Sequence, residues 1–183
     1  GESLPLSYSL PEFDLAIQFE PTDFIQVNGP MNVTMVTRAV EHLDPQPGDH
    51  VLDLFCGLGN FSLPLARRAS HVTGVEGEAG LVARAARNAC RAGLENVNFV
   101  TANLAATDYE TPWARRAYAR VLLDPPRAGA REVLPVVGRC GAVRVVYISC
   151  HPGSLARDAG LLVREHGFRL VAAGVMDMFP HTT

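Results

Sequence analysis

The chain contains no lysine: all 16 of its basic side chains are arginine. A GC-rich genome, which also favours the abundant Ala, Gly and Pro, accounts for this more simply than recruitment of arginine's planar fork for nucleic acid. With a formal net charge of −3 there is no overall electrostatic case for a polyanionic partner. No apolar run approaches the length of a membrane-spanning helix. The first residues, GESLPLSYSL, lack the basic and apolar regions of a signal peptide. Cysteines stand at 56, 90, 140 and 150 without a CxxC pair, so neither a zinc site nor an iron–sulfur cluster is expected. Reduced thiols in a cytoplasmic protein follow.

What is present is a folded core. The 183 residues are 48% hydrophobic and 19% charged, the balance of one globular unit. Residues 1–29 read as a lead-in: Phe13, Leu15, Ile17 and Phe19 alternate with other residues as in a half-buried strand, punctuated by Pro5, Pro11 and Pro21. Residues 30–183 read as the main domain. Met31–Leu43 is an expected amphipathic helix, and PQPGD (45–49) breaks the chain after it. Strands are then expected at His50–Leu54, His71–Val75, Val97–Thr101, Arg120–Leu123, Val143–Ile148 and Phe168–Met176. Helices are expected at Asn60–Arg68, Gly80–Ala92, Ala130–Cys140 and Ser154–Glu165. Such alternation predicts an α/β fold with a Rossmann-like, doubly wound parallel sheet.

Ligand-binding signals gather at the ends of these strands. In DLFCGLGN (53–60), Gly57 and Gly59 permit a tight turn and close approach of backbone to a ligand. Glu76, in GVEG, is placed either to take the hydroxyls of a ribose or to sit as a solvated loop carboxylate. Ser62 stands where a dinucleotide fingerprint needs its third glycine, which disfavours NAD and favours S-adenosylmethionine, a cofactor with no pyrophosphate. Asn103 is either an adenine reader or a turn residue. Asp124 opens DPPRAG, where two prolines stiffen the loop and remove two donors. Arg127 is a base or phosphate contact or an ordinary surface arginine.

The most chemically suggestive stretch is VRVVYISCHPGSLARD (143–158). It puts Cys150 between a buried strand and a helix whose expected N-cap is Ser154. A helix N-terminus favours the thiolate, although a buried structural thiol is the commoner fate of a free cysteine.

In order, FIQVN, DLFCGLGNFSLPLA, GVEG, LLDPPRAG, YISCHPGSLARD and DMFPHT resemble the catalytic domain of the bacterial RNA (uracil-5-)-methyltransferases, in particular the 23S ribosomal RNA 5-methyluridine enzymes of the RlmD type. The resemblance runs from about residue 24 to the C-terminus. It implies the class I S-adenosylmethionine-dependent methyltransferase fold, with cofactor contacts at Gln26, Phe55, Gly57, Asn60, Glu76, Asn103 and Asp124. It implies Cys150 as the nucleophile that adds to carbon 6 of uracil, Asp124 orienting substrate and cofactor, and 23S ribosomal RNA as partner, with neither membrane nor metal.

Two departures accompany the resemblance. The family's SCNP is SCHP here, so His151 is either a thiolate partner or a tolerated neighbour. The family's proton-abstracting Glu follows DMFPHT, so the chain is expected to be truncated at its C-terminus and to turn over poorly. The family's RNA-binding barrel and iron–sulfur domain are not encoded either. Other readings are an amino-methyltransferase, whose chemistry needs no nucleophile, and a cofactor-binding module inactive as a fragment.

Overall fold

Five parallel strands form the central sheet of the computed structural model, which describes residues 5–178. They are β3 (His50–Leu54), β4 (His71–Glu76), β5 (Val97–Thr101), β6 (Arg120–Leu123) and β7 (Arg144–Tyr147). Their order is β5-β4-β3-β6-β7, which reverses direction beside β3. All of β6 is buried, as is β3 beyond His50, matching their largely apolar sequences, with Asp53 and Arg120 the buried charged residues among them. Apolar side chains on the two faces of the sheet build two core clusters. One holds Val51, Val72 and Leu122; the other holds Leu52, Leu54, Val75, Val121 and Leu123. The expected doubly wound architecture is therefore observed.

Helix α1 (Gly29–Leu43) begins where the Asn28 side chain accepts the Met31 N–H at 3.2 Å, and it carries Pro30 in its first turn. It buries Asn32, Met35, Val36, Ala39, Val40 and Leu43, the spacing of one helical face. Asp44, in the left-handed region, ends it. Buried Arg120 then donates to the freed carbonyls of Leu43 and Asp44 at 3.0 and 3.3 Å, joining the helix end to β6. The other helices are α2 (Ser62–Ala66), α3 (Ala79–Arg91), α4 (Pro112–Arg115), α5 (Leu134–Arg139) and α6 (Pro152–Arg164).

Several expectations need correction. Phe168–Met176 forms no strand. Its apolar content is compatible with a strand, but a strand also needs a bonded neighbour, and Leu170, Val171 and Val175 lie exposed. Ala130–Cys140 divides into a 3-10 turn (Arg131–Val133) and α5, because Pro135 has no N–H to continue one helix through that point. The expected helix at Asn60–Arg68 contracts to Ser62–Ala66, around Pro64. The N-cap of α6 is His151, not Ser154. Val143 lies outside β7 and is largely exposed.

The lead-in is a hairpin of β1 (Leu6–Leu10), not expected from sequence, and β2 (Leu15–Phe19). A 3-10 turn (Pro11–Phe13) and Asp14 in the left-handed region separate them, so the strand expected from Phe13 starts at Leu15. The hairpin forms its own two-stranded sheet and pairs with no strand of the central one. Its attachment is to α3. Asn88, 1% exposed, accepts the Gln18 N–H and donates to the Gln18 carbonyl, both at 3.1 Å, as a strand neighbour would. Leu10, Phe13, Leu15 and Ile17 join the same core cluster as α1.

Asn88→Ala leaves both groups of Gln18 unanswered. The expected loss is about 1–3 kcal/mol in urea unfolding, with faster amide exchange confined to the hairpin. Unchanged stability and exchange would show that the hairpin is held by its other contacts, such as Tyr8 with Asn60 and Arg67 with Phe13, and by apolar packing.

Candidate active site

The backbone hydrogen bonds one step beyond the strands determine where the candidate residues stand. Ala102 N–H donates to Glu76 O, Phe55 N–H to Val75 O, Asp124 N–H to Leu54 O and Ile148 N–H to Leu123 O. These links carry the register across all five strands to their carboxyl ends. Asn103, Glu76, Phe55, Asp124 and Cys150 therefore emerge along one edge of the sheet, where open α/β sheets bind ligands.

The β3–α2 loop is strained and pinned. Phe55 has φ 64°, an unusual conformation for a bulky side chain, and Gly57 follows at φ 52°. A Cβ at Gly57 would meet nothing within 4 Å, so the turn leaves a cradle open beside its backbone. Glu76 holds the turn: Oε2 accepts the Gly57 N–H at 3.1 Å, while Oε1 accepts those of Gly77 and Glu78 at 2.6 and 3.2 Å. Its carboxylate is thereby fixed in direction, with a lone pair on Oε2 left to receive a hydroxyl.

Beneath this turn lies Asp53, fully buried, whose Oδ2 accepts the Ser62 hydroxyl. The serine that replaces the dinucleotide glycine thus serves the acid. Asp53 Oδ1 has no partner among the described residues. Burial raises the Asp53 carboxyl to about 7, against the Ser62 hydrogen bond, and the charges of Asp124 and Glu76 push in the same direction as burial. Burial likewise raises Asp124 to about 6. Three carboxyl groups thus share one acidic pocket floor.

The remaining candidates are distributed less evenly. Asn60 does not present a free amide: its Oδ1 accepts the Tyr8 hydroxyl at 2.9 Å and the Asn32 amide at 3.1 Å, and its Nδ2 donates to Asn32 at 3.0 Å. Asn103 is exposed and accepts the Ala105 N–H at 3.0 Å, the geometry of a turn residue. Gln26 is partly buried in the connection between β2 and α1. That connection is held by the Asp23–Arg84 ion pair and by Asn28, which donates to the Met178 carbonyl at 3.0 Å. Of DMFPHT, only Asp177 and Met178 lie within the described residues.

Cys150 is exposed, three residues beyond β7 and two before the first residue of α6. His151 Nδ1 accepts the Ser154 N–H at 3.1 Å, so that ring nitrogen caps the helix rather than serving the thiol. His151 thus fills the cap position at which asparagine is a preferred residue. Spacing alone did not single out Asn32, Asp53 as the unpartnered acid, or Asp158, fully buried in α6. An Arg-Asp pair at the end of a motif gives no hint of burial.

A family model described as tRNA (Uracil-5-)-methyltransferase matches residues 8–183. The chain belongs to this family. Among curated relatives, the 23S rRNA (uracil(1939)-C(5))-methyltransferase RlmD of Stenotrophomonas maltophilia (strain K279a) is 57% identical over 182 residues, covering 100% of this chain and 41% of that protein. The protein of the same name from Methylococcus capsulatus (strain ATCC 33009 / NCIMB 11132 / Bath) is 59% identical over 177 residues, covering 97% of this chain and 40% of its own length. The chain thus spans about two fifths of the curated relatives it matches.

Among solved structures, the tRNA (uracil-54, C5)-methyltransferase of Pyrococcus abyssi, in complex with S-adenosyl-L-homocysteine, superposes with a TM-score of 0.81 at 26% identity, over 97% of this chain and 42% of that one. Precorrin 8w decarboxylase of Methanobacterium thermoautotrophicum, with a TM-score of 0.69 at 18% identity over 84% of this chain and 79% of that one, shares the fold alone. The uracil-5-methyltransferase family therefore has here its class I methyltransferase sheet.

The acidic floor has a consequence for stability. Asp53 and Asp124 ionise near 3.8 when unfolded but hold their protons to about 7 and about 6 when folded. Between those values the folded chain binds more protons, so their contribution is fully present below the unfolded value and falls as pH rises through the window. In urea unfolding of the ligand-free protein from about pH 5 to about pH 8, stability is expected to decline, and Asp53→Asn to flatten the decline. Equal slopes for both proteins would contradict the protonated Asp53.

Proposed function

We propose that this chain is the catalytic domain of an S-adenosylmethionine-dependent RNA (uracil-5-)-methyltransferase that modifies a uridine of 23S ribosomal RNA through a covalent adduct with Cys150. The observation that carries this reading is an exposed thiol on the same sheet edge as a carboxylate-lined cradle.

The residues present fit the cofactor. Glu76 is aimed by backbone N–H groups toward a ribose hydroxyl, and the open space at Gly57 admits a nucleoside against the turn. The electrostatics discriminate further. The Glu76 carboxylate and Asp124 stand at this edge, and among the described residues no donor or cation meets the free oxygen of Asp53, so a ligand with sulfonium and ammonium charges suits it better than a pyrophosphate. When bound, S-adenosylmethionine supplies an electrophilic methyl group for carbon 5 of the base.

Carbon 5 of uracil is a poor nucleophile until the ring is opened to addition. The Cys150 thiolate forms a bond from Sγ to carbon 6, and the electron pair of the 5,6 double bond moves into an enolate that makes carbon 5 nucleophilic. After methylation and loss of the carbon 5 proton, the double bond re-forms and the Sγ–C6 bond breaks, returning the thiolate. Asp124, partly buried behind two prolines, orients the ring and the methyl donor. The base leaves its stack to reach this edge.

The reading is tested with S-adenosylmethionine and a 23S ribosomal RNA fragment carrying 5-fluorouridine. Fluorine at carbon 5 does not leave as a proton does, so a denaturant-stable complex should accumulate and map by mass spectrometry to Cys150. Cys150→Ala should abolish it, and Glu76→Ala should weaken cofactor binding by about tenfold or more, the loss of a charge-assisted hydrogen bond. Methylation of unsubstituted RNA by Cys150→Ala would instead establish chemistry without a nucleophile, as in an amino-methyltransferase.

A further inference from the structure

The uridine chemistry proposed above uses Cys150 and Asp124, which lie on separate loops. The last backbone link between those loops is the bond from Ile148 N–H to Leu123 O at 2.8 Å. Beyond it the chain diverges: one branch runs through Asp124, Pro125 and Pro126 to Ala130, the other through Cys150 into α6. The sheet register does not determine their relative position past that point. Side chains have to do so.

Asp158 is fully buried in the second turn of α6 and reaches both branches. Its Oδ2 accepts the Ala130 N–H at 2.7 Å and the Tyr147 hydroxyl at 2.6 Å, and its Oδ1 accepts Arg157 Nε at 2.7 Å. Arg157 Nη2 donates in turn to the Ala128 carbonyl at 2.7 Å. Among the described residues, these two side chains make the hydrogen bonds that tie the 124–130 loop to α6. Burial opposes ionisation of Asp158, but the hydrogen bonds from Arg157, Ala130 and Tyr147 outweigh it and hold the carboxyl below its ordinary range. The loop is shaped to meet it. Gly129 has φ 89°, and a Cβ there would fall 2.5 Å from Asp158 Oδ2 and also strike the Arg157 guanidinium.

We propose that Asp158 is a positioning residue, a buried carboxylate that clamps the loop carrying Asp124 to the helix following Cys150 and so sets the approach of the uracil ring to the thiol. This inference rests on the proposed function, yet the clamp has a readout of its own. Asp158→Asn places an amide N–H against either Arg157 or the Ala130 N–H, because one carboxylate oxygen is lost as an acceptor. Tyr147→Phe removes one of the three bonds and keeps the ring.

Both variants are compared with the unaltered protein by amide exchange over residues 124–130, by calorimetric titration with S-adenosylmethionine, and by the single-turnover rate of the 5-fluorouridine adduct at saturating RNA. Asp158→Asn is expected to form the adduct roughly 10–100-fold more slowly, with faster exchange at Ala130 and a cofactor Kd within about threefold of the original. Tyr147→Phe is expected to show a smaller change in the same direction.

Unaltered adduct rates in both variants would overturn the proposal. So would losses of adduct rate, cofactor affinity and melting temperature in parallel, the mark of a purely structural residue. If the unaltered protein forms no adduct, the proposed function falls separately. Exchange at Ala130 then decides the clamp, with unchanged exchange in Asp158→Asn overturning it.

Discussion

The parallel register of five strands is the constraint on which this site depends. In a parallel sheet every carboxyl end faces the same way, and a residue one step past its strand is still located by a neighbour's carbonyl. Phe55, Ala102, Asp124 and Ile148 are all held in this manner. The buried β3 and β6 keep water from competing for those bonds. Site geometry is accurate to the limit of that ladder and no further, so the Gly57 turn is fastened by the Glu76 carboxylate at a strand end, while the loop beyond Asp124 and the segment of Cys150 need ties from other side chains.

Two buried aspartates illustrate how environment decides the state of one side chain type. Asp158 has donors on both oxygens and is held ionised. Asp53 has one hydroxyl on Oδ2 and an unanswered Oδ1, and is held neutral until about 7. The first arrangement suits a structural tie, whose energy comes from satisfied bonds. The second leaves an electrostatic demand that a bound cation can meet, and it stands under the turn that Glu76 organises.

Amide side chains do a similar joining job around the N-terminal hairpin. Asn88 imitates a strand partner for Gln18, and Asn32 and Asn60 pair with each other while receiving Tyr8. Asn60 therefore links the hairpin and α1 to the turn that holds Gly57 and Gly59. Its amide faces those neighbours in this structure, and any cofactor contact at this position would have to share or displace them.

Mostly apolar segments such as Val72–Val75 and Val121–Leu123, separated by helical segments, were enough to specify a doubly wound parallel sheet, because burial on both faces is written directly into composition. Glu76, Asp124 and Cys150 were legible as strand-end residues for the same reason, and the ordered motifs carried the family. What lay beyond sequence was the outcome of competition for partners. The apolar residues of Phe168–Met176 could not reveal whether a strand stood beside them. Ser154 and His151 were both able to cap α6, and only the path of the chain set the His151 ring against the Ser154 N–H. Asp53 and Asp158 are the same letter in the chain, yet one is orphaned and one is saturated. A hydrogen bond needs two groups within about 3 Å, and proximity between residues 28 apart, as for Ala130 and Asp158, is a property of the packed chain.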